Sequence, residues 1–119
     1  MAQRRSIQPT YEEREGEPFA TPEDAWIWYS QCQQARDEGA RYHAGLGAVA
    51  RPCAPDDIVL EVRRLYRRRI LSGAHLRALV RFGRQNGAAA GEGDATAGRL
   101  WREALDRLAT PLRAKGIVL

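Results

Sequence analysis

The side chains best suited to recognition chemistry are arginines that cluster between residues 55 and 85. They are Arg63, Arg64, Arg67, Arg68, Arg69, Arg77, Arg81 and Arg84, with Ser72 and His75 among them. An arginine guanidinium is planar and can bind a phosphate or a carboxylate through two parallel hydrogen bonds. The cluster therefore indicates binding of anionic groups rather than the making or breaking of bonds.

The formal charge of +4 is distributed unevenly along the 119 residues. Residues 1–50 carry a net charge of −3, residues 51–84 carry +6, and the remainder carries +1. A concentrated positive charge favours nucleic acid or an acidic protein as partner. Three other causes produce arginines without any partner and stay open: arginine-rich codon usage, the helix dipole and ordinary solvation.

Apolar spacing predicts two helices joined by a short turn across this cluster. The first helix follows Pro55, and the second begins after Ser72, which is a good N-cap. The turn comprises residues 69–71. The expected inward side chains are Ile58, Val59, Val62, Leu65 and Tyr66 on the first helix, and Leu76, Leu79, Val80 and either Phe82 or Gly83 on the second.

This arrangement resembles the helix-turn-helix, in which the second helix enters the major groove of DNA and the first crosses the backbone. The resemblance implies that Arg77, Arg81 and Arg84, with Ser72 and His75, contact bases or phosphates. It assigns Arg63, Arg64, Arg67 and Arg68 to the backbone, with Arg69 beside them in the turn. Arg69 and Ile70 replace the small residue usual in that turn, and an ordinary helical hairpin with a solvated arginine face fits the same sequence.

Two further helices flank the central pair. The first starts at the cap Thr21, with an apolar stripe of Ala25, Trp28, Tyr29, Cys32 and Ala35. Trp26 and Ile27 fall outside that stripe, which indicates either deep burial or a surface for a partner. The last helix is capped by Asp94 or Thr96 and carries the stripe Leu100, Trp101, Ala104, Leu105 and Leu108, with Glu103 and Arg107 as an i,i+4 pair.

We therefore expect an all-α single domain of about four helices over residues 19–119. Residues 1–18 are expected to form a flexible tail, residues 86–98 a flexible Gly/Ala-rich linker, and the apolar C-terminus is expected to dock on the core. Tryptophan-bearing faces of the outer helices should pack against the central pair.

No sequence motif predicts an enzyme, a cofactor or a metal site. Gly45 and Gly47 lack the remaining residues of a phosphate-binding loop. Cys32 and Cys53 are not paired in a C-x-x-C motif and are expected to be buried thiols. The loop residues Arg41, Tyr42, His43 and Arg51 could line a polar pocket, but no second catalytic group stands at a recognisable spacing.

The sequence leads to two functional hypotheses. The first is a small cytoplasmic DNA-binding protein that regulates transcription through the arginine-rich helix pair. The second is a non-enzymatic adaptor that binds an acidic protein through the arginine face or through the surface of Trp26 and Ile27. No apolar run is long enough to suggest a membrane partner, and the sequence does not indicate an oligomeric state.

Overall fold

Four α-helices make up the fold. The computed structural model describes residues 16–39, 49–87 and 92–119. The helices are α1 (Pro22–Asp37), α2 (Pro55–Arg67), α3 (Gly73–Arg84) and α4 (Ala95–Ala114). In the described ranges, extended pairing is limited to one parallel bridge between Phe19 and Val118. The expected all-α fold of four helices is confirmed.

Polar side chains begin three of the helices at the predicted positions. The Thr21 hydroxyl accepts the N–H of Asp24 at 3.1 Å, the Ser72 hydroxyl accepts that of His75 at 3.2 Å, and the Asp94 carboxylate accepts that of Ala97 at 3.0 Å. These bonds satisfy amide groups that have no partner inside the helix. Because α4 begins at Ala95, the last four residues of the predicted 86–98 linker are helical, and residues 88–91 lie outside the described ranges.

Three helices end in the same hydrogen-bonded turn, the Schellman motif. After α2 the N–H of Ile70 bonds to the carbonyl of Leu65 at 2.9 Å, and equivalent bonds follow α3 and α4. The motif requires a left-handed residue, usually glycine. That position is held by Gly116 after α4, by Asn86 after α3 with φ 57°, and by Arg69 after α2 with φ 63°.

The core lies where α1 and α4 each contact all three other helices. The consecutive helices α2 and α3 pack mainly against α1 and α4 and touch each other least of any pair. The turn between them therefore joins two splayed helices, and the helix-turn-helix detail is not confirmed. The largest fully buried side chains are Phe19, Phe82, Ile58, Leu71, Leu79, Leu108, Leu112 and Ile117.

Tryptophans connect the outer helices to the central pair, as expected. The Trp26 indole N–H donates to the carbonyl of Leu79 at 2.8 Å, and the Trp101 ring meets Phe82 edge-on at 5.8 Å between centroids. Trp26 is only 4% exposed. Of the two alternatives for Trp26, deep burial is therefore confirmed, because α1 is packed by neighbours over a wide arc.

The inward face of α3 also differs from its prediction. Val80 is 49% exposed, whereas His75, Ala78, Leu79, Phe82 and Gly83 are buried. A side chain at Gly83 would meet the Ser30 hydroxyl at 2.4 Å, so the glycine lets α3 approach α1 closely.

Both ends of the described chain lie against each other. The Phe19 N–H donates to the Ile117 carbonyl and the Leu119 N–H donates to the Phe19 carbonyl, each at 2.9 Å. Ile117 and Val118 are buried, which confirms that the apolar terminus docks on the core. Residues 1–15 of the predicted tail lie outside the described residues, but residues 16–18 pack beside Arg51, where the Glu17 N–H donates to Ala50.

The remaining fold-level observations concern thiols and membranes. Cys32 is a buried thiol and Cys53 is a half-buried one. Burial raises the pKa of the Cys32 thiol, and Arg36 nearby partly opposes that rise. Among the helices described, none combines the length and apolar character needed to cross a bilayer.

Candidate nucleic-acid interface

A groove between α2 and the C-terminal half of α4 holds the densest group of cationic side chains. Its volume is about 740 Å³. Four arginines line it: Arg64, Arg67 and Arg68 from α2 and its cap, and Arg107 from α4. We call this site the basic groove. The two helices meet there because Leu65 of α2 and Leu108 of α4 belong to the buried core between them.

The carboxylate that lines the basic groove is Glu61, and it is already paired. Its side chain is 5% exposed and accepts a hydrogen bond from Arg64 at 2.9 Å. The ammonium of Lys115 forms a second ion pair with the same oxygen. Because two cations offset one buried anion, the groove stays positively charged.

Arg67 and Arg68 are exposed and pair with no carboxylate of the described chain. Arg107 donates to the carbonyl of Ile70 at 3.1 Å, an uncharged acceptor. These three guanidiniums therefore keep donors available for an anion.

Repulsion between like charges on α2 also favours the binding of an anion in the basic groove. Arg64 and Arg68 are four residues apart, as are Arg63 and Arg67, and each pair repels by a few tenths of a kcal/mol on a helix surface. The negative end of the α2 dipole partly offsets the repulsion, since these residues lie in its last turns. An anion bound in the basic groove would relieve the remaining repulsion between these arginines.

The other predicted site residues lie elsewhere. Arg63 and Arg84 line a separate cleft beside α1, and Arg77 and Arg81 line a hollow at the start of α4. Arg81 is paired with Asp94 at 3.1 Å and its guanidinium lies over the Phe82 ring at 4.8 Å. The arginines of α2 and α3 are thus divided among separate sites, and Arg63 and Arg84 are the pair from the two helices that line the same one.

His75 is held inside the protein and does not reach the surface with α3. Its Nδ1 lies 3.0 Å from the Ser72 N–H and 2.9 Å from the Ser72 hydroxyl, and its Nε2 lies 3.0 Å from a Glu103 carboxylate oxygen. The ring is 6% exposed. We therefore place His75 outside the interface, while Ser72 is exposed at the turn beside Arg69.

Glu103 joins α3 to α4 through this histidine. Hydrogen bonds from His75 and then from Arg99 lower the pKa of the Glu103 carboxyl. Its ion pair is with Arg99 at 2.8 Å, four residues before it. The predicted ion pair with Arg107 does not form, because that guanidinium donates to the Ile70 carbonyl and lies 3.4 Å from His75 Nε2, although its charge also helps to lower the pKa of Glu103.

Sequence reasoning missed the contribution of α4 to the basic groove. Arg107 and Lys115 are far from α2 in sequence, and no local pattern indicates that Arg107 lines the same groove as Glu61 or that Lys115 pairs with Glu61. Three residues of the predicted loop pocket, 41–43, lie outside the described residues. Its fourth residue, Arg51, donates to the Glu17 carbonyl, and its guanidinium lies over the Phe19 ring at 4.1 Å.

Comparison with known proteins returned no matching family model, no curated relative and no similar solved structure. Within the described ranges, no three metal-binding side chains come together. The functional argument therefore depends on the geometry and charge of the chain itself.

Proposed function

We propose that the protein binds duplex DNA through phosphate contacts in the basic groove and acts as a small regulatory DNA-binding protein. The observation that supports this is the meeting of Arg64, Arg67, Arg68 and Arg107 around one groove whose carboxylate, Glu61, is already neutralised. Arginine side chains at that density suit a partner with closely spaced phosphates, and duplex DNA carries one charge per roughly 1.7 Å of axis.

The groove suits positioning contacts more than base reading. Phosphate contacts fix a protein on the duplex but carry no sequence information. Base reading is assigned in this proposal to Arg77, an exposed α3 side chain with no acidic partner in the described ranges. Arg81 is less suited, because Asp94 and Phe82 already hold its guanidinium.

The test is fluorescence anisotropy with a labelled duplex over a series of salt concentrations. With about three phosphates neutralised, the logarithm of affinity should fall with a slope near −2.7, so that binding weakens about 40-fold between 50 and 200 mM salt. The double variant Arg67→Gln/Arg68→Gln should reduce the slope by about 2. Arg102→Gln is the matched control, because Arg102 is exposed on α4 outside the groove.

One further variant distinguishes base reading from phosphate contact. Arg77→Gln should change the preference among duplexes of different sequence while leaving the salt slope lower by about 1 at most. Binding that is absent, or that does not respond to salt, would refute the proposal.

The acidic-protein adaptor is the competing outcome of the same experiment. Of its predicted surface at Trp26 and Ile27, Trp26 is buried and Ile27 is half-buried, which makes the basic groove the better site for carboxylates. Recovery of one acidic protein after nuclease treatment, lost in Arg67→Gln/Arg68→Gln and accompanied by no duplex binding, would favour the adaptor.

A further inference from the structure

A second concave site lies between α1, α2 and α3, away from the basic groove. Its volume is about 300 Å³, at the lower end of the range for small-molecule pockets. Most of its wall is apolar, with Val59 and Val62 from α2, Leu76 and Val80 from α3, and Trp26 from α1. We call it the apolar cleft.

The cleft exists because α2 and α3 are splayed. Each packs on α1, yet the two barely meet, so their facing apolar side chains are left partly uncovered. Val80 is 49% exposed there, and Val59 and Leu76 are half-buried. The apolar spacing predicts that these three side chains face the core, but they face the cleft instead. Leu76 and Val80 are the misplaced part of the stripe predicted for α3.

Two arginines from different helices, Arg63 and Arg84, line this apolar cleft. Both are exposed, and neither forms an ion pair with the described residues. The acid in the wall is Asp37, which accepts a hydrogen bond from Gln33 at 3.0 Å. Two arginines against one carboxylate leave a positive charge beside an apolar surface.

Tyr29 adds a hydrogen-bond donor to the wall. Burial is the main cause that raises the pKa of its hydroxyl, with Asp56 adding to the rise and Arg63 opposing it. The hydroxyl therefore stays protonated, and Tyr29 and Arg63 line the same cleft. A phenol donor near a guanidinium suits one carboxylate group.

We propose that the apolar cleft binds a small molecule with one carboxylate and an apolar body, the carboxylate held by Arg63 and Arg84. The apolar body packs on Val59, Leu76 and Val80. The small volume favours such a molecule over a docked helix, which needs anchor positions along two turns. This site is independent of DNA binding, because it uses other arginines and another face of α2.

The test is a titration of the intact protein with 4-phenylbutyrate, followed by methyl NMR of valine and leucine. Saturable shifts at low-millimolar concentration are expected for the methyl groups of Val59, Leu76 and Val80. The uncharged amide of the same compound should bind about tenfold more weakly, because it lacks the charge-assisted hydrogen bonds.

Two variants separate the charge from the apolar wall. Arg84→Gln should weaken phenylbutyrate binding three- to tenfold, roughly, and leave binding of the amide unchanged. Val80→Asp, at an exposed position, should weaken binding of both compounds. Arg102→Gln is the control and should change neither affinity.

Three outcomes would overturn the proposal. The first is the absence of cleft shifts with phenylbutyrate. The second is equal binding of acid and amide, which would mark the cleft as an unselective apolar patch. The third is a set of cleft shifts that depend on protein concentration and not on ligand, which would identify the cleft as a contact between two copies of the chain.

Discussion

Replacing Arg69 by glycine is expected to stabilise the fold while weakening binding of nucleic acid. Arg69 holds the left-handed position of the Schellman motif after α2, with φ 63°. In the same motif after α4 that position is Gly116. The side chain of Arg69 is exposed and has no acidic partner among the described residues. No ion pair of the Arg69 side chain within the described residues therefore offsets the strained backbone.

The magnitude follows from two opposing effects. A residue with a Cβ atom costs about 1–2 kcal/mol in the left-handed region. Glycine removes that cost but increases the freedom of the unfolded chain, which costs about 0.5–1 kcal/mol. The expected net gain in the free energy of unfolding is about 0.5–1 kcal/mol for Arg69→Gly.

Urea denaturation measures this gain. For a slope of about 2 kcal/mol/M, the midpoint should rise by about 0.3–0.5 M without a change in the slope itself. Duplex affinity, measured by anisotropy, should fall, and its salt slope should decrease by less than about 1, because Arg69 lies beside the basic groove and is not one of the three cations counted in it. Stability and binding then move in opposite directions.

The control is Arg69→Ala, which removes the guanidinium and keeps the Cβ atom. It should weaken binding as much as glycine does but leave the urea midpoint near that of the unchanged protein. If Arg69→Gly proves no more stable than Arg69→Ala, the left-handed backbone carries no cost and the reasoning fails. If both variants bind DNA normally, Arg69 lies outside the interface.

Three other perturbations test separate parts of the structure. Glu61→Gln should raise duplex affinity several-fold in anisotropy, since it frees two cations, and lower stability by about 1–3 kcal/mol in urea; unchanged affinity would argue against the groove. Gly83→Ala should destabilise the fold by about 1–3 kcal/mol, because the added methyl group would lie 2.4 Å from the Ser30 hydroxyl. A normal urea midpoint would contradict that packing. The pKa of Glu103 is lowered from its ordinary value of 4.5 by hydrogen bonds, led by the one from His75. The stabilisation of the fold by ionised Glu103 is therefore present above pH 4.5 and is lost as the pH falls below it. Urea midpoints measured from neutral to acidic pH should show this loss, and Glu103→Gln should make the midpoints less dependent on pH.

Local signals predicted the helices well because caps and periodicity depend on neighbours in sequence. Thr21, Ser72 and Asp94 each bond to an amide three residues later, so the starting residue is enough to identify the helix start. The end of α2 was harder to interpret, because Arg69 occupies a position where glycine is usual. The hydrogen bonds of the motif override that local preference.

Caps and periodicity do not predict which helices pack against each other. Trp26 lies off the predicted stripe of α1 but is buried against α3, since α1 has neighbours on several sides. His75 seemed available as a surface donor, yet Glu103, 28 residues later, holds it. The sequence left the burial of Trp26 open and misplaced His75, because burial depends on which helices meet and that is decided by contacts distant in sequence.

The geometry of α2 explains why the charge cluster in the sequence is a poor guide to the binding site. Adjacent helix residues point about 100° apart, so Arg63 enters the apolar cleft while Arg64 enters the basic groove. The cluster is divided by the helix that carries it. The cationic site is completed instead by α4, whose Arg107 lines the groove and whose cap residue Lys115 pairs with Glu61. The unit that would contact phosphate is therefore the α2–α4 pair, and Arg107→Gln in α4 should weaken duplex binding about as much as Arg67→Gln in α2.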